Sequence, residues 1–425
     1  MENFVVGAPS VDTSAVISRP RVLLLITNLD FGGAQRVFHY QSQMFAADYD
    51  VVECVFNLDN AVAFPGTNKL LNLDVKAGKN VIDKFFRFWQ RVKRLKKIKR
   101  DRKIDICISH LEGADLVNVL SRVNEKTVSW VHGSKRHDRN ISGLLGFIRH
   151  RFLIPYIFSK LDLVITVSAA IKQELADHYH ADPAKVKTVY NFFDVKLIKE
   201  KADELLPEAF ACVFCTRPVL LFSGRLAAQK NLEGLIRWYS DFSKESESIL
   251  VILGDGDLRN ETTRLCIELR IPTYHPWNNL PLNDSYKIYF LGFQDNPYPF
   301  VKRADIFVLP SLWEGFPMVL GEAMACGVAI VSSDCPTGPR EMLCDIPPMG
   351  NLQFPYFADY GVLMPLLNRQ GFKAWTEGIQ RLLGERALLK QLALSSSHRG
   401  DFFELEKNTR VVLNLVKSLT HEKAD

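Results

Sequence analysis

The 425-residue chain has no uninterrupted apolar stretch approaching the ~18 residues that a membrane-crossing helix needs. Its first twenty residues, MENFVVGAPSVDTSAVISRP, have neither a basic start nor a continuous apolar block, so no secretory leader is expected in them. Cysteine is scarce, at eight residues, which argues against a disulfide framework and for a reduced, cytoplasmic setting. Cys212-x-x-Cys215 has no second pair at zinc spacing. A D-x-D string occurs at Asp48–Asp50 and Asp255–Asp257, but the second copy reads as a helix start, with Asp257 as its N-cap. No metal site is therefore expected. G-x-G-x-x-G and P-loop fingerprints are absent. So are RRM, KH, zinc-finger and helix-turn-helix signatures, and no nucleic-acid partner is expected. Hydrophobic residues at 47% and charged residues at 24% exclude fibrous, collagen-like and mostly disordered chains.

What is present is length for two or three domains and a repeated alternation of strands and helices. Apolar runs at 21–26, 104–109, 127–131 and 163–167 suit parallel strands buried on both faces. Periodic stretches between the strands (34–47, 81–100, 114–123, 169–178) suit helices. Residues 191–217 carry several charges, Pro207 and no clear period, and are expected to lie between two domains. Alternation restarts with strands at 219–222, 249–253, 287–291, 306–309 and 328–332. Two such series predict an α/β protein of two doubly wound, Rossmann-like domains facing one another across a cleft. A helical, amphipathic tail follows from about 367, with Val412, Leu415, Val416 and Leu419 on one face.

In open parallel sheets ligands bind beyond the carboxyl ends of the strands, which limits the functional search to a few loops. The most informative is Ser311-Leu-Trp-Glu-Gly-Phe-Pro-Met-Val-Leu-Gly-Glu-Ala-Met-Ala-Cys-Gly327. Pro317 suits a first helical turn and Gly327 its stop. The amides of Phe316, Met318 and Val319 then lie at a helix start, where free N–H groups and the helix dipole favour phosphate oxygens or sugar hydroxyls. Gly315 allows a ligand to approach the backbone closely. Glu314 precedes the helix and Glu322 lies about one turn inside it, so the two carboxylates can accept from different hydroxyls of one polyol.

A second loop, Ser223-Gly-Arg-Leu-Ala-Ala-Gln-Lys230, offers Arg225 and Lys230 to a diphosphate and to the charge that develops as it leaves. Gly32 and Gly33 open a helix after the first strand, in Phe31-Gly-Gly-Ala-Gln-Arg36. Gly254, in Gly-Asp-Gly-Asp257, permits close approach in the same way. His132 stands at the carboxyl end of a strand, where it can meet a sugar or its leaving group.

Taken together these strings resemble the nucleotide-sugar glycosyltransferases of family 4, which have the two-domain GT-B fold. The resemblance runs over about residues 20–400 and is most specific at Glu314-x7-Glu322. FGGAQR at 31–36, VHG at 131–133, SGRLAAQKN at 223–231, LGDGDLR at 253–259 and LGF at 291–293 support it. The run Asp334-Cys-Pro-Thr-Gly-Pro-Arg340 looks like bacterial enzymes that build surface or lipid-linked glycans. The resemblance implies a retaining, metal-independent hexosyltransferase without cofactor. Its donor would be a nucleoside diphosphate sugar, UDP-linked by expectation, and its acceptor a glycan or a lipid-linked acceptor. By position Arg225 and Lys230 would hold the diphosphate, and Glu314 with the Phe316 and Met318 amides the sugar. The Val319 amide would lie near the phosphates, Glu322 at the ribose, and Gly292-Phe293 beside the base. His132 would stand near the anomeric centre, with Gly32 and Gly33 closing over the diphosphate. The implied division is an acceptor domain at 1–195, a linker at 196–217, a donor domain at 218–385, and a tail at 386–425 that packs back on the first domain. The competing readings are a GT-B sugar synthase or phosphorylase, and an inactive scaffold of the same fold.

Charge is uneven. Residues 1–205 hold 31 Lys/Arg against 23 Asp/Glu, and the remainder 22 against 25. The segment 84–103 alone has 11 Lys/Arg and one Asp. Phe85, Phe88, Trp89, Val92, Leu95 and Ile98 recur there at helical spacing, which predicts an amphipathic helix whose stripe packs on the first sheet. Its basic face, with Lys135, Arg136, Arg139, Arg149 and Arg151, is expected to meet an anionic membrane from the cytoplasmic side.

Overall fold

A computed structural model describes residues 19–421 except 31, 59–63, 65, 77, 139–142 and 278–279. Phe31 and Arg139 of the sequence reading lie outside the described residues, as do residues 1–18.

The first sheet has seven parallel strands: β1 (Arg21–Ile26), β2 (Asp50–Val55), β3 (Lys69–Asn72), β4 (Ile106–His110), β5 (Lys126–Val131), β6 (Leu163–Thr166) and β7 (Val186–Thr188). Their order is β3-β2-β1-β4-β5-β6-β7. Its helices are α1 (Gly33–Phe45), α2 (Val81–Asp101), α3 (Glu112–Leu120), α4 (Gly143–Ile148), α5 (Ile154–Lys160) and α6 (Ala169–Tyr179). The β1 run works as its composition suggests. Val22, Leu24 and Ile26 enter a core with Val37 and Phe38 of α1, while Leu23 and Leu25 face Val92 and Leu95 of α2. Covering both faces of the strand in this way is what a parallel sheet requires.

Residues 191–217 are not irregular as expected. Asp194 caps α7 (Val195–Ala202) by accepting from the Leu197 N–H at 2.9 Å, and a 3-10 turn follows at Glu208–Phe214. The helix is short, so its apolar side (Val195, Ile198, Ala202) leaves too few repeats for a period to emerge from the sequence.

The second sheet contains β8 (Val219–Ser223), β9 (Ile249–Leu253), β10 (Thr273–Tyr274), β11 (Ile288–Gly292), β12 (Ile306–Leu309), β13 (Ala329–Ser333), β14 (Tyr356–Ala358) and β15 (Gly361–Met364). The order is β10-β11-β9-β8-β12-β13-β15-β14, parallel except for the β14/β15 hairpin. Its helices are α8 (Leu232–Phe242), α9 (Arg259–Glu268), α10 (Tyr298–Lys302), α11 (Met318–Cys326), α12 (Pro339–Leu343) and α13 (Phe372–Gly384). Helix α9 starts two residues beyond Asp257 and has no side-chain cap, so Asp257 is not the N-cap expected of it.

Two long helices close the chain, α14 (Arg386–Phe402) and α15 (Leu405–His421). The first lies on α11 and β13. Between the two, the Phe193 N–H donates to the Phe403 carbonyl at 2.9 Å, and from α15 Lys417 reaches Asp48 at 3.0 Å. Val412, Val416 and Leu419 form the buried side of α15.

Helix α2 departs from its expected packing. Val92 and Leu95 are buried, but Phe85 is 60% exposed and Trp89 40%. The stripe meets the sheet only along its second half. Its basic residues also divide. Lys99 is buried and pairs with Glu125 at 2.7 Å, and Arg91 donates to the Val75 carbonyl. Lys135 and Arg149, expected at the surface, are buried against Glu112, which accepts from Arg149 at 2.6 and 2.7 Å. A buried guanidinium needs such a partner, because charge without one is costly away from water.

Candidate functional site at the facing sheet edges

Loops from the carboxyl ends of the two sheets meet. On the second sheet the chain leaves β12, passes Ser311 and Glu314, and enters α11 at Met318. Pro317 occupies the N-cap in extended conformation, one position before the first turn where it was expected, and Gly327 closes the helix with φ +71°. Glu314 is buried at 5% exposure. Its Oε1 accepts from Ser311 Oγ and Lys230 Nζ, each at 2.6 Å, and its Oε2 from Gln229 Nε2 at 3.3 Å. An ammonium has three donors, so Lys230 retains two beyond this bond. Arg225, on the same loop, is exposed.

The Gly254 N–H donates to the Gly292 carbonyl at 2.8 Å. Gly254 has φ +125°, and a Cβ there would collide with the Gly224 carbonyl. Glycine at 254 thus serves the packing of β8 on β9, which the sequence reading had assigned to a ligand. Phe293 is 52% exposed beside Gly292.

On the first sheet Gly32 caps α1 in extended conformation and Gly33 opens it. The Met318 side chain packs onto Gly33, with Cγ 3.0 Å from where a Cβ would stand. Arg36, one turn on, ion-pairs with Glu322 of α11. His132 follows β5, and its carbonyl lies so close to Gly315 that no side chain fits at 315. The close approach that Gly315 permits is therefore that of the opposite sheet's loop. Asn191 Nδ2 donates to the Phe316 carbonyl at 3.1 Å, and Tyr190 stacks on Phe316 with centroids 5.2 Å apart. Burial drives the His132 imidazole down to about 3, which favours its neutral form.

His132, Gly33, Glu314, Gly315, Phe316, Met318, Lys230 and Glu322 are thus brought together, with Val319 half-buried in the first turn of α11. Arg225 and Phe293 reach solvent at the margin. Sequence reasoning missed Arg36, Gln229, Asn191 and Thr337, whose Oγ1 donates to the Glu314 carbonyl. Arg36 and Gln229 stood inside strings already singled out. Asn191 gave no local signal, since its partner is 125 residues away.

Beyond Thr337 and Gly338 the gap opens into a cavity of about 1010 Å³. Arg136, Gln173, His178, Asp334, Arg340 and Asn351 are among its lining groups, a polar set drawn from both halves of the chain.

Two family models match these halves. One, described as Glycosyltransferase Family 4, covers residues 31–197, and the other, described as Glycosyl transferases group 1, covers 214–347. The chain belongs to the group 1/family 4 glycosyltransferases. This glycosyltransferase is 26% identical over 401 residues, 92% of its own length and 97% of the relative's, to the N-acetylgalactosamine-N,N'-diacetylbacillosaminyl-diphospho-undecaprenol 4-alpha-N-acetylgalactosaminyltransferase of Campylobacter jejuni. It is 28% identical over 298 residues, 67% of this chain and 69% of the relative, to an uncharacterized glycosyltransferase of Methanocaldococcus jannaschii. Among solved structures it is similar to sucrose-phosphate synthase from Thermosynechococcus elongatus, with TM-score 0.75 and 17% identity over 95% of this chain and 100% of that one. Anabaena HepE in complex with UDP-glucose gives TM-score 0.70 and 16% identity over 94% and 99%. The glycosyltransferase therefore has the GT-B fold, as the resemblance to family 4 had implied.

Proposed function

We propose that this glycosyltransferase moves a hexose or N-acetylhexosamine, with retention and without a metal, from a UDP-linked donor to a lipid-linked glycan. The observation that carries the reading is the Lys230–Glu314 pair at 2.6 Å, set against the start of α11 and faced by His132 and Arg36 from the other sheet. In this reading residues 218–385 hold the donor and 1–195 face the acceptor. Lys230 and Arg225 neutralise the diphosphate, with the Val319 amide and the turn at Gly32 and Gly33. Glu314 and the Phe316 and Met318 amides hold the sugar, Glu322 the ribose, and Gly292-Phe293 the base. The bond from the anomeric carbon to phosphate breaks as the acceptor oxygen bonds on the same face. The acceptor's proton passes to the departing diphosphate. A neutral His132 held near 3 is too weak a base to take that proton first, which supports this route. The C. jejuni relative is named for a diphospho-undecaprenol acceptor, and the cavity lined from both halves suits a polyhydroxyl chain.

A thermal-shift panel of nucleotide sugars tests the donor. A ligand that binds only the native state raises Tm, by about 2.7 kcal/mol of stability at one hundred times Kd. UDP-sugars are expected to raise it and GDP- or ADP-sugars not. The absence of any shift with UDP-sugars would refute the donor assignment.

The partner surface proposed for this enzyme is an anionic bilayer. Val81, Ile82, Phe85, Phe86 and Trp89 are exposed on the first half of α2, beside exposed Lys84 and Lys93. Helices in this sheet run against the strands, so that half of α2 lies at the carboxyl edge of the sheet, on the side of the gap. Leu144, Leu145, Phe147 and Phe152 are exposed after β5, at the same edge. Apolar side chains that enter the headgroup boundary and lysines over anionic lipid act together there. Sedimentation with phosphatidylglycerol vesicles should carry the protein down, phosphatidylcholine vesicles should not, and Phe85→Ser with Trp89→Ser should abolish the difference. Equal binding to both lipids would remove the proposal.

A further inference from the structure

His132 is held from behind. Its Nε2 lies 2.8 Å from Nδ1 of His110, the last residue of β4, and His110 Nε2 lies 3.0 Å from Oε1 of Gln41 on α1. His110 and Gln41 have no exposed surface, whereas His132 is half-buried. The His110 ring cannot turn freely. It lies parallel to Trp130, 12° from coplanar at 6.2 Å between centroids, and edge-on to Phe38 at 5.5 Å. Burial, reinforced by His132, keeps His110 well below the usual imidazole range, and burial does the same to His132. Both rings are therefore neutral, and each has one N–H and one lone pair.

The chain of bonds then fixes both tautomers. With Oε1 of Gln41 turned to the ring and its Nε2 buried without a hydrogen-bond partner, the amide is the acceptor of this contact, and that orientation puts the proton of His110 on Nε2. Its Nδ1 is left as an acceptor, and the proton it accepts belongs to His132 Nε2. His132 Nδ1 must carry a lone pair. Among the described residues the ring of His132 makes no further hydrogen bond.

We propose that Gln41 and His110 are positioning residues that hold His132 as its Nε2–H tautomer, so that the Nδ1 lone pair is what the ring offers to a hydroxyl of the bound sugar. The inference rests on the reading of His132 as a cleft residue. It deepens that reading, because it makes His132 a hydrogen-bond acceptor for substrate and gives a role to two residues buried behind the site. It also ties the ring's chemistry to α1, the helix that begins at Gly33 and carries Arg36 to Glu322.

Two-dimensional ¹⁵N–¹H spectra of the full-length protein, with the His132 ring assigned by its loss in His132→Asn, read the tautomer directly. The expected result is protonation at Nε2 in the unaltered protein and a mixture of tautomers in Gln41→Met. Kinetics read the consequence. His110→Leu should lower kcat about tenfold with donor KM little changed, the lower end of the loss seen when a partner that orients a metal-ligating histidine is removed. His110→Asn returns an amide acceptor near the position of Nδ1 and should recover most of that loss. A purely structural role would move Tm in both variants and leave the tautomer of His132 alone. Protonation at Nδ1 in the unaltered protein would overturn the proposal, and so would His110→Leu turning over at the rate of the unaltered enzyme. The spectra need no donor or acceptor, so a failure of the UDP-sugar assignment would leave their answer standing.

Discussion

Lys230→Ala is expected to lower kcat for transfer by about 10²–10³-fold, the usual loss when one preorganised donor to developing charge is removed. The leaving group is a diphosphate, and departure builds negative charge on its bridging oxygen. Of the two basic residues on the β8–α8 loop, Lys230 is the one fixed in place, by its 2.6 Å bond to Glu314. Arg225 is exposed and has more side-chain freedom to lose when it engages. The variant should still fold, because Glu314 retains Ser311 Oγ at 2.6 Å and Gln229 Nε2 at 3.3 Å. Steady-state kinetics with a radiolabelled UDP-sugar, alongside Tm, separates the two effects. A kcat within twofold of the unaltered enzyme would remove Lys230 from the chemistry.

The second large effect is expected at Glu322, in binding more than in turnover. Glu322→Ala should weaken donor affinity by about 10–100-fold, the worth of hydrogen bonds to a charged acceptor, with kcat at saturating donor little changed. The carboxylate lies inside α11 and pairs with Arg36 of α1, so a ribose must share Glu322 with Arg36 or displace it. Glu322→Gln offers one amide oxygen in place of two charged ones and should fall between. Calorimetric titration with UDP measures both variants. Equal affinity for UDP in all three proteins would show that the ribose is held elsewhere.

The difference between the two predictions follows from where each carboxylate sits. Glu314 is in a loop and is held by three side chains from two strand ends. Glu322 is on a helix, and its partner comes from the other half of the chain. The sequence spacing of eight residues displays both carboxylates but says nothing of the cations that hold them.

Several features were legible because they depend on neighbours in the chain. The β1, β9 and β12 runs are apolar on consecutive residues, and only strands covered on both faces accept that pattern. Gly327 stops α11 because it can take a positive φ, and the identity of that residue is written locally. The loops that meet at the site could be selected in advance because parallel sheets expose one functional edge. Features that depend on distant partners were misread. The stripe of α2 looked continuous, yet only Val92 and Leu95 are fully buried on the sheet, Phe88 and Ile98 pack against it in part, and Phe85 and Trp89 are left facing water. Arg149 and Lys135 looked like surface cations until Glu112 placed a carboxylate beside them. Helix α7 was invisible because eight residues give barely two turns of period.

By itself the sequence determined where the long buried strands and most of the longer helices lie, that the strands form parallel sheets, and which strand-end loops carry carboxylates, cations and glycines. Those properties are set by hydrophobic period and by backbone freedom, both of which act over a few residues. Only the tertiary structure decided that Arg36 pairs with Glu322, that the His132 carbonyl excludes any side chain at 315, and that His110 and Gln41 stand behind His132. Each of those contacts joins residues whose distance along the chain is many times the range over which local preferences act. Their placement follows from how the strands order themselves in two sheets and how those sheets face each other.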